Sequence, residues 1–359
     1  MKHGNQKNGD LDSALSRRRF LGGTGAAVAS GSMSGCVDDL VGGATGDGTF
    51  SAEVTVTHWP LLMYNPPYQA ALENGYFEEE GVEIEGIAGS EGGGTTVRNV
   101  VTGGLPFGEV ATPGAVNGYY AGSDITIVAA TVNTPGTINW VAPQGSEIES
   151  MADLEGGTIG YTSAGSVTEN TGALSVARAD ELDVDDVEFQ GMGGVSEGLT
   201  GLEEGAIDVA ANMDPIFSSQ QAGEEQWQVV FRAADYIPEF MQTVIIVGPE
   251  TIENDPDAIE GYIRARNRGV EFVRDNPQEA AEIYASYNEG FDTEVMEMAI
   301  ENADVDSYYA TGEFSVEGLE LIEEGMQNIG LIDHDVEWSE IIDQSYLEDE
   351  KHIDLSEAE

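Results

Sequence analysis

The run Ile125-Thr-Ile-Val-Ala-Ala-Thr131 narrows the possible folds more than any other stretch. It holds no charge in a chain that carries 67 acidic side chains. A strand with one wet face alternates apolar and polar residues. A near-continuous apolar run fits a strand covered on both faces, as in a parallel sheet layered between helices. The preceding residues prepare such a sheet. "EVTVTHW" (53–59), "VEIEGI" (82–87) and "FGEVA" (107–111) read as strands. Between them, "NPPYQAALENGYF" (65–77) opens at paired prolines and stops at Gly75, and "TTVRNVVTGG" (95–104) closes on two glycines, so both read as helices. The first third is therefore βαβαβ.

A second cycle begins near 137. Strands are predicted over 137–142, 157–162, 187–191, 206–212 and 227–231, with helices over 166–179, 195–204 and 215–222, and "TVIIVG" (243–248) is one more buried strand. After Asp255-Pro256 the pattern becomes amphipathic helices over 256–275, 277–287, 293–303, 315–329 and 338–347, whose apolar stripes read as packing. No internal repeat of 20–50 residues is present. The expectation is an α/β protein of two lobes with a helical tail.

The charge balance excludes whole classes of function. Thirteen Lys and Arg stand against 67 Asp and Glu, a net charge of −54. A nucleic acid partner needs a positive footprint, and none exists. The acids are spread along the chain, and lysine occurs only at 2, 7 and 351. That composition suits molar salt, where ions screen self-repulsion, as in a halophilic archaeon.

Residues 1–36 read as an address. Ser16-Arg17-Arg18-Arg19-Phe20-Leu21 matches the twin-arginine export pattern, with Arg17 and Arg18 as its signal pair. The apolar run Leu21–Ala29 is too short and too mild to span a bilayer. Met33-Ser-Gly-Cys36 is similar to a lipobox, with Met33 where leucine is usual, and marks Cys36 as the lipid anchor. Cys36 is the only cysteine, so no intrachain disulfide forms. Residues 37–51 then form a flexible tether. Without residues 1–35 the chain keeps 8 basic and 65 acidic residues, a net charge of −57.

Several segments in order resemble one family. "YQAALENGYFEEEGVEIE" (68–85), "MADLEGGTIGYTSAGS" (151–166), "GLTGLEEGAIDVAANMDP" (198–215) and "NDPDAIEGYIRARNRGVEFVRDNPQEAA" (254–281) are similar to the substrate-binding proteins of ABC importers for nitrate, sulfonates, taurine and thiamine pyrimidines. "VVTGGLPFGEVATPG" (100–114) fits too, with Phe107 where an Asp is usual. The resemblance implies a type II periplasmic-binding-protein fold. Lobe 1 would comprise 52–136 plus 246–348 and lobe 2 would comprise 137–245, joined by hinge strands near Thr137–Val141 and Gln242–Val247. It implies a monomer on the outer face of the cell membrane that closes on a small solute and delivers it to a permease and ATPase complex. No cofactor or metal is implied.

Ligands of open α/β sheets bind at strand ends and helix starts. In the first lobe this selects His58, Trp59 and Tyr64 after the first strand, and Ser90, Gly93 and Thr95 in "SEGGGTT". Thr112 follows the third strand. In the second lobe it selects Ser163, Ser166 and Thr168, and then Asn212 and Asp214 in "NMDP", where Asp214 is equally a helix cap. "SEGGGTT" lacks the lysine of a nucleotide loop, but its amides suit a small polar ligand. Aromatics beside His58, with Asp214 opposite, favour a neutral or weakly cationic planar solute such as a pyrimidine. Helix starts leave nitrate or a sulfonate open. Two other readings are a sensory solute receptor and an enzyme like the thiamine-pyrimidine synthase. That synthase uses pyridoxal phosphate on a lysine, and here only Lys351, in the tail, follows the address.

Overall fold

β-Branched and aromatic runs supply the strands of two mixed sheets in the computed structural model, which describes residues 43–44, 49–180, 182–223 and 226–359. Arg17, Arg18, Cys36 and most of the tether lie outside the described residues. The strands are β1 (Gly43–Ala44), β2 (Phe50–Thr57), β3 (Val82–Ser90), β4 (Phe107–Ala111), β5 (Thr126–Val132), β6 (Ile138–Pro143), β7 (Thr158–Tyr161), β8 (Glu188–Gly191), β9 (Val209–Met213), β10 (Trp227–Arg232), β11 (Thr243–Val247) and β12 (Tyr309–Gly312). The first sheet runs β1-β2-β4-β11-β5-β12, with β3 also paired to β2. The second runs β10-β6-β9-β7-β8.

Both sheets are built alike. Three parallel strands lie side by side, β3-β2-β4 in one and β8-β7-β9 in the other. An antiparallel strand follows them: β11 beside β4, and β6 beside β9. In each case that strand is the first one after the chain has arrived from the other sheet. The chain makes these crossings over 133–137 and 233–242. The apolar run of β5 is covered on both faces, with Ile127, Val128 and Ala130 fully buried, but its partners β11 and β12 both run antiparallel to it, not parallel as expected, because β11 returns from the other sheet.

The helical tail packs onto the first sheet because two glycines flatten one helix. A Cβ on Gly269, in helix Pro256–Asp275, would stand 2.0 Å from the Pro67 carbonyl oxygen, and one on Gly261 would stand 2.6 Å from that of Glu80. Helix Pro66–Glu73 therefore lies close against it.

Some elements differ from expectation. Strand β2 begins at Phe50, which is buried, rather than at 53. Strand β12 arises inside the helical tail. The last tail helix spans only Trp338–Ile341, because Ile342 bridges to Ile127 of β5. Among the described residues no helix is long and apolar enough to cross a membrane.

Candidate ligand cleft

Strand β2 ends at Thr57, and the chain turns at once through His58, whose φ of 53° is unusual for a residue with a Cβ. Three interactions hold it there. Its N–H donates to Ser90 O (2.8 Å), its Nδ1 lies 2.9 Å from Tyr64 Oη, and its ring also hydrogen-bonds the Glu91 backbone. His58 thus ties the end of β2 to the loop after β3. The ring keeps a face open to solvent, yet surrounding protein lowers its pKa, against the Glu91 backbone and charge. Burial holds the Tyr64 phenol well above its usual range, so it stays protonated. Trp59 is half-buried and meets Tyr287 edge-on, with centroids 5.6 Å apart.

Tail residues fix this loop, a role that the reading of the tail as plain packing missed. Tyr284 Oη donates to Leu61 O, and Tyr309 Oη donates to Met63 O. The one available signal was the tyrosine content of the tail, with Tyr284, Tyr308 and Tyr309 on apolar faces.

The glycine-rich loop is shaped by packing. Ser90 is buried; its Oγ lies 2.6 Å from Thr96 Oγ1, which is 2.7 Å from Thr57 Oγ1. That hydroxyl chain turns inward. Gly93 opens helix Gly93–Val101, and a Cβ there would stand 3.2 Å from Gly114 Cα, so glycine lets two helix starts meet. Thr95 Oγ1 accepts from Arg98 Nη2 (2.9 Å). Thr112 is fully buried; its N–H donates to Gln242 O (3.0 Å) and its hydroxyl to Met241 O, both in the second crossing.

In the second lobe, Ser166 caps helix Val167–Ala177 by accepting from Glu169 N (3.2 Å). Ser163 is exposed, and its carbonyl accepts from Ser166 N–H. Thr168 is buried and accepts from Thr162 N–H (2.9 Å). Asn212 is buried, with Nδ2 on Gln220 Oε1 (2.6 Å). Asp214 is 1% exposed, and its Oδ1 accepts from Ser218 N (3.1 Å) and Ser218 Oγ (2.5 Å). Burial raises its pKa to about 6, opposed by Ser218, Asn302 and Arg232. The Asp214 charge is felt by Tyr284 and Tyr308, and Tyr284 also feels Tyr64. The fold therefore brings Tyr64, which holds His58, and Asp214 to the same tyrosines, while Ser163, Ser166 and Thr168 form a second group. There, a Cβ on Gly165 would stand 3.5 Å from the Leu331 side chain of the tail.

Arg178, Arg264, Arg268, Arg274 and Lys351 pair with carboxylates. Arg98 donates to Thr95, Arg232 to Asn139 Oδ1 (3.0 Å), and Arg266 to backbone carbonyls. Among the described residues no group of three or more His, Cys, Asp or Glu side chains could hold a metal ion.

The family described as NMT1/THI5 like matches residues 64–280, more than half of the chain. The chain belongs to the NMT1/THI5-like family. Among its relatives, the formylaminopyrimidine-binding protein of Halalkalibacterium halodurans is 24% identical over 245 residues, 65% of this chain and 69% of the relative. The periplasmic aliphatic sulphonate binding protein of Escherichia coli superposes with a TM-score of 0.68 at 14% identity, covering 82% of this chain and 92% of that one. The desulfurization enzyme DSZB superposes with a TM-score of 0.58 at 16% identity, covering 82% and 97%. These likenesses establish for this NMT1/THI5-like chain the two-lobed type II periplasmic-binding-protein fold.

Proposed function

We propose that this chain is the extracellular solute receptor of an ABC importer, and that its two lobes close on a small planar solute that is neutral or weakly cationic. Lobe 1 is taken as 52–136 plus 246–348 and lobe 2 as 137–245, with residues 243–245 moved to lobe 1 because β11 pairs with β4 and β5. The observation that carries the reading is that Asp214, at a strand end of one sheet, and Tyr64, which holds a neutral His58 at a strand end of the other, both act on Tyr284 and Tyr308. A carboxylate that titrates near 6 is an acceptor for ring amino groups at neutral pH, and flat side chains match flat ligands. The relative whose name includes formylaminopyrimidine supports the same class. Ser163, Ser166 and Thr168 would add hydroxyls from the mouth, and Ser90, Gly93, Thr95, Thr112 and Asn212 would shape the walls.

Calorimetric titration in molar KCl tests the reading, with formylaminopyrimidine, taurine and nitrate run in parallel. Binding of the pyrimidine alone is the expected result, and binding of taurine or nitrate without the pyrimidine sinks it. The importer and sensory roles separate in cells: deleting the permease abolishes pyrimidine uptake only in the first. The synthase-like reading finds little support, because Lys351 Nζ donates to Thr311 O (2.8 Å) and pairs with Glu348, engaged in the tail.

The twin-arginine stretch at Arg17 and Arg18 and the lipobox at Cys36 complete the proposal: export of a folded monomer and lipid anchoring outside the membrane in a high-salt organism. A Cys36→Ser chain should appear in the medium, and retention on the membrane would remove the anchor from the proposal.

A further inference from the structure

The first sheet buries two opposite charges that no part of the ligand reading uses. Glu109, in the middle of β4, and Arg266, from helix Pro256–Asp275, are both fully buried. Glu109 Oε1 accepts from Thr131 Oγ1 (3.0 Å) and Thr243 Oγ1 (3.2 Å), and those two hydroxyls lie 2.7 Å apart. Arg266 Nη2 donates to Thr131 O (2.6 Å), and its Nη1 donates to Ala310 O of β12. Thr131 links the two, its hydroxyl on Glu109 and its carbonyl on Arg266, and the Arg266 charge opposes the rise that burial imposes on the Glu109 pKa.

The place of these contacts is specific. Thr131 is the penultimate residue of β5, at the root of the first crossing. Thr243 is the first residue of β11, where the second crossing returns. Immediately beyond them the crossings run side by side, with Gln242 N–H on Val132 O (2.8 Å) and Phe240 N–H on Asn133 O (2.7 Å). One carboxylate thus holds the roots of both connections between the sheets. Apolar side chains of equal volume would pack the sheet without any desolvation cost. A buried charge pair does something else: displacement of either strand leaves a charge short of partners, so one geometry is strongly preferred.

We propose that the Glu109–Arg266 pair is the fulcrum of lobe closure, a pair of positioning residues that sets solute affinity from outside the cleft. This rests on the reading of the chain as a closing receptor. Bending is then confined to the crossings beyond Thr131 and Thr243, while their roots stay fixed to lobe 1.

Hydrogen exchange on the ligand-free, full-length protein in molar KCl tests the fulcrum without any solute. Two variants are compared with wild type: Thr243→Val, which removes one contact and keeps the shape, and the double change Glu109→Leu with Arg266→Met, which removes both charges together. The expected result is that amides of Asn133, Phe240 and Gln242 exchange faster by about tenfold or more in both, while amides of β7 and β9 are unchanged and the unfolding midpoint stays near wild type. The proposal is overturned if those crossing amides stay as protected as in wild type, or if exchange rises evenly in both sheets with falling stability, which marks a core role only. Formylaminopyrimidine affinity is the second readout, expected to fall by about tenfold in Thr243→Val. If wild type does not bind that probe, the functional reading fails, and the exchange result still decides the fulcrum.

Discussion

Asp214 titrates near 6 because the loss of water around its carboxylate outweighs the hydrogen bonds from Ser218. An exposed aspartate titrates near 4, so the folded chain holds this proton more tightly than the unfolded one. The stability that follows is fully present below about pH 4 and is lost as pH rises through about 6. Asp214→Asn removes that dependence. Between pH 4.5 and 7 the variant should gain about 2 kcal/mol on wild type, most of a two-unit shift at 1.36 kcal/mol per unit. Urea unfolding at both pH values in constant KCl measures it, and a difference that does not change with pH would show that Asp214 keeps its water. The sequence placed Asp214 at a strand end and offered two roles for it, cap and ligand contact. Its bonds to Ser218 display the cap, and its burial beside Tyr284 and Tyr308 is a tertiary fact that no local pattern contains.

Helix Pro256–Asp275 shows how elements are fitted to one another. On intrinsic propensity, alanine in a helix interior is favoured over glycine by about 1 kcal/mol. At Gly269 the sign reverses, because the new Cβ would meet the Pro67 carbonyl at 2.0 Å and a backbone oxygen cannot swing aside. Gly269→Ala should therefore cost about 2 kcal/mol or more. Gly94→Ala, in helix Gly93–Val101 with open space around the added carbon, should gain about 0.4–1 kcal/mol. Thermal unfolding of the two variants side by side checks the pair, and equal shifts would mean that the helices can separate freely. Element reading from sequence succeeded where runs were long, as in β5 and the tail helices. It missed β12, four residues between helices, and it overran the last helix, because pairing with β5 rather than local propensity decides both.

At the scale of the whole molecule, the charge of the chain sets its dependence on salt. With −54 spread over the sequence and few cations to offset it, the folded state repels itself in dilute buffer. Raising KCl from 0.1 to 1 M shortens the screening length from about 10 to about 3 Å. The melting temperature should rise by several degrees over that range, with most of the gain below 1 M. A melting temperature independent of salt would show that the acids are spaced widely enough not to matter.

The sequence by itself determined the class of fold, most of its strands and helices and the sign of its surface. Those follow from periodicity, turn residues and composition, which act locally or in bulk. It also marked strand ends such as His58, Ser163 and Asp214 as candidates, because chain direction alone puts them there. Only the tertiary structure decided which of them meet. His58 is held by Tyr64 and Glu91, Ser90 and Thr112 turn into the lobe, and Tyr284 and Tyr309 reach across more than two hundred residues to hold the first loop. The linkage of Glu109 through Thr131 to Arg266, 157 positions away, belongs to the same class. Such contacts are selected by burial and by the demand that buried polar groups find partners, and neither is legible until the chain has closed on itself.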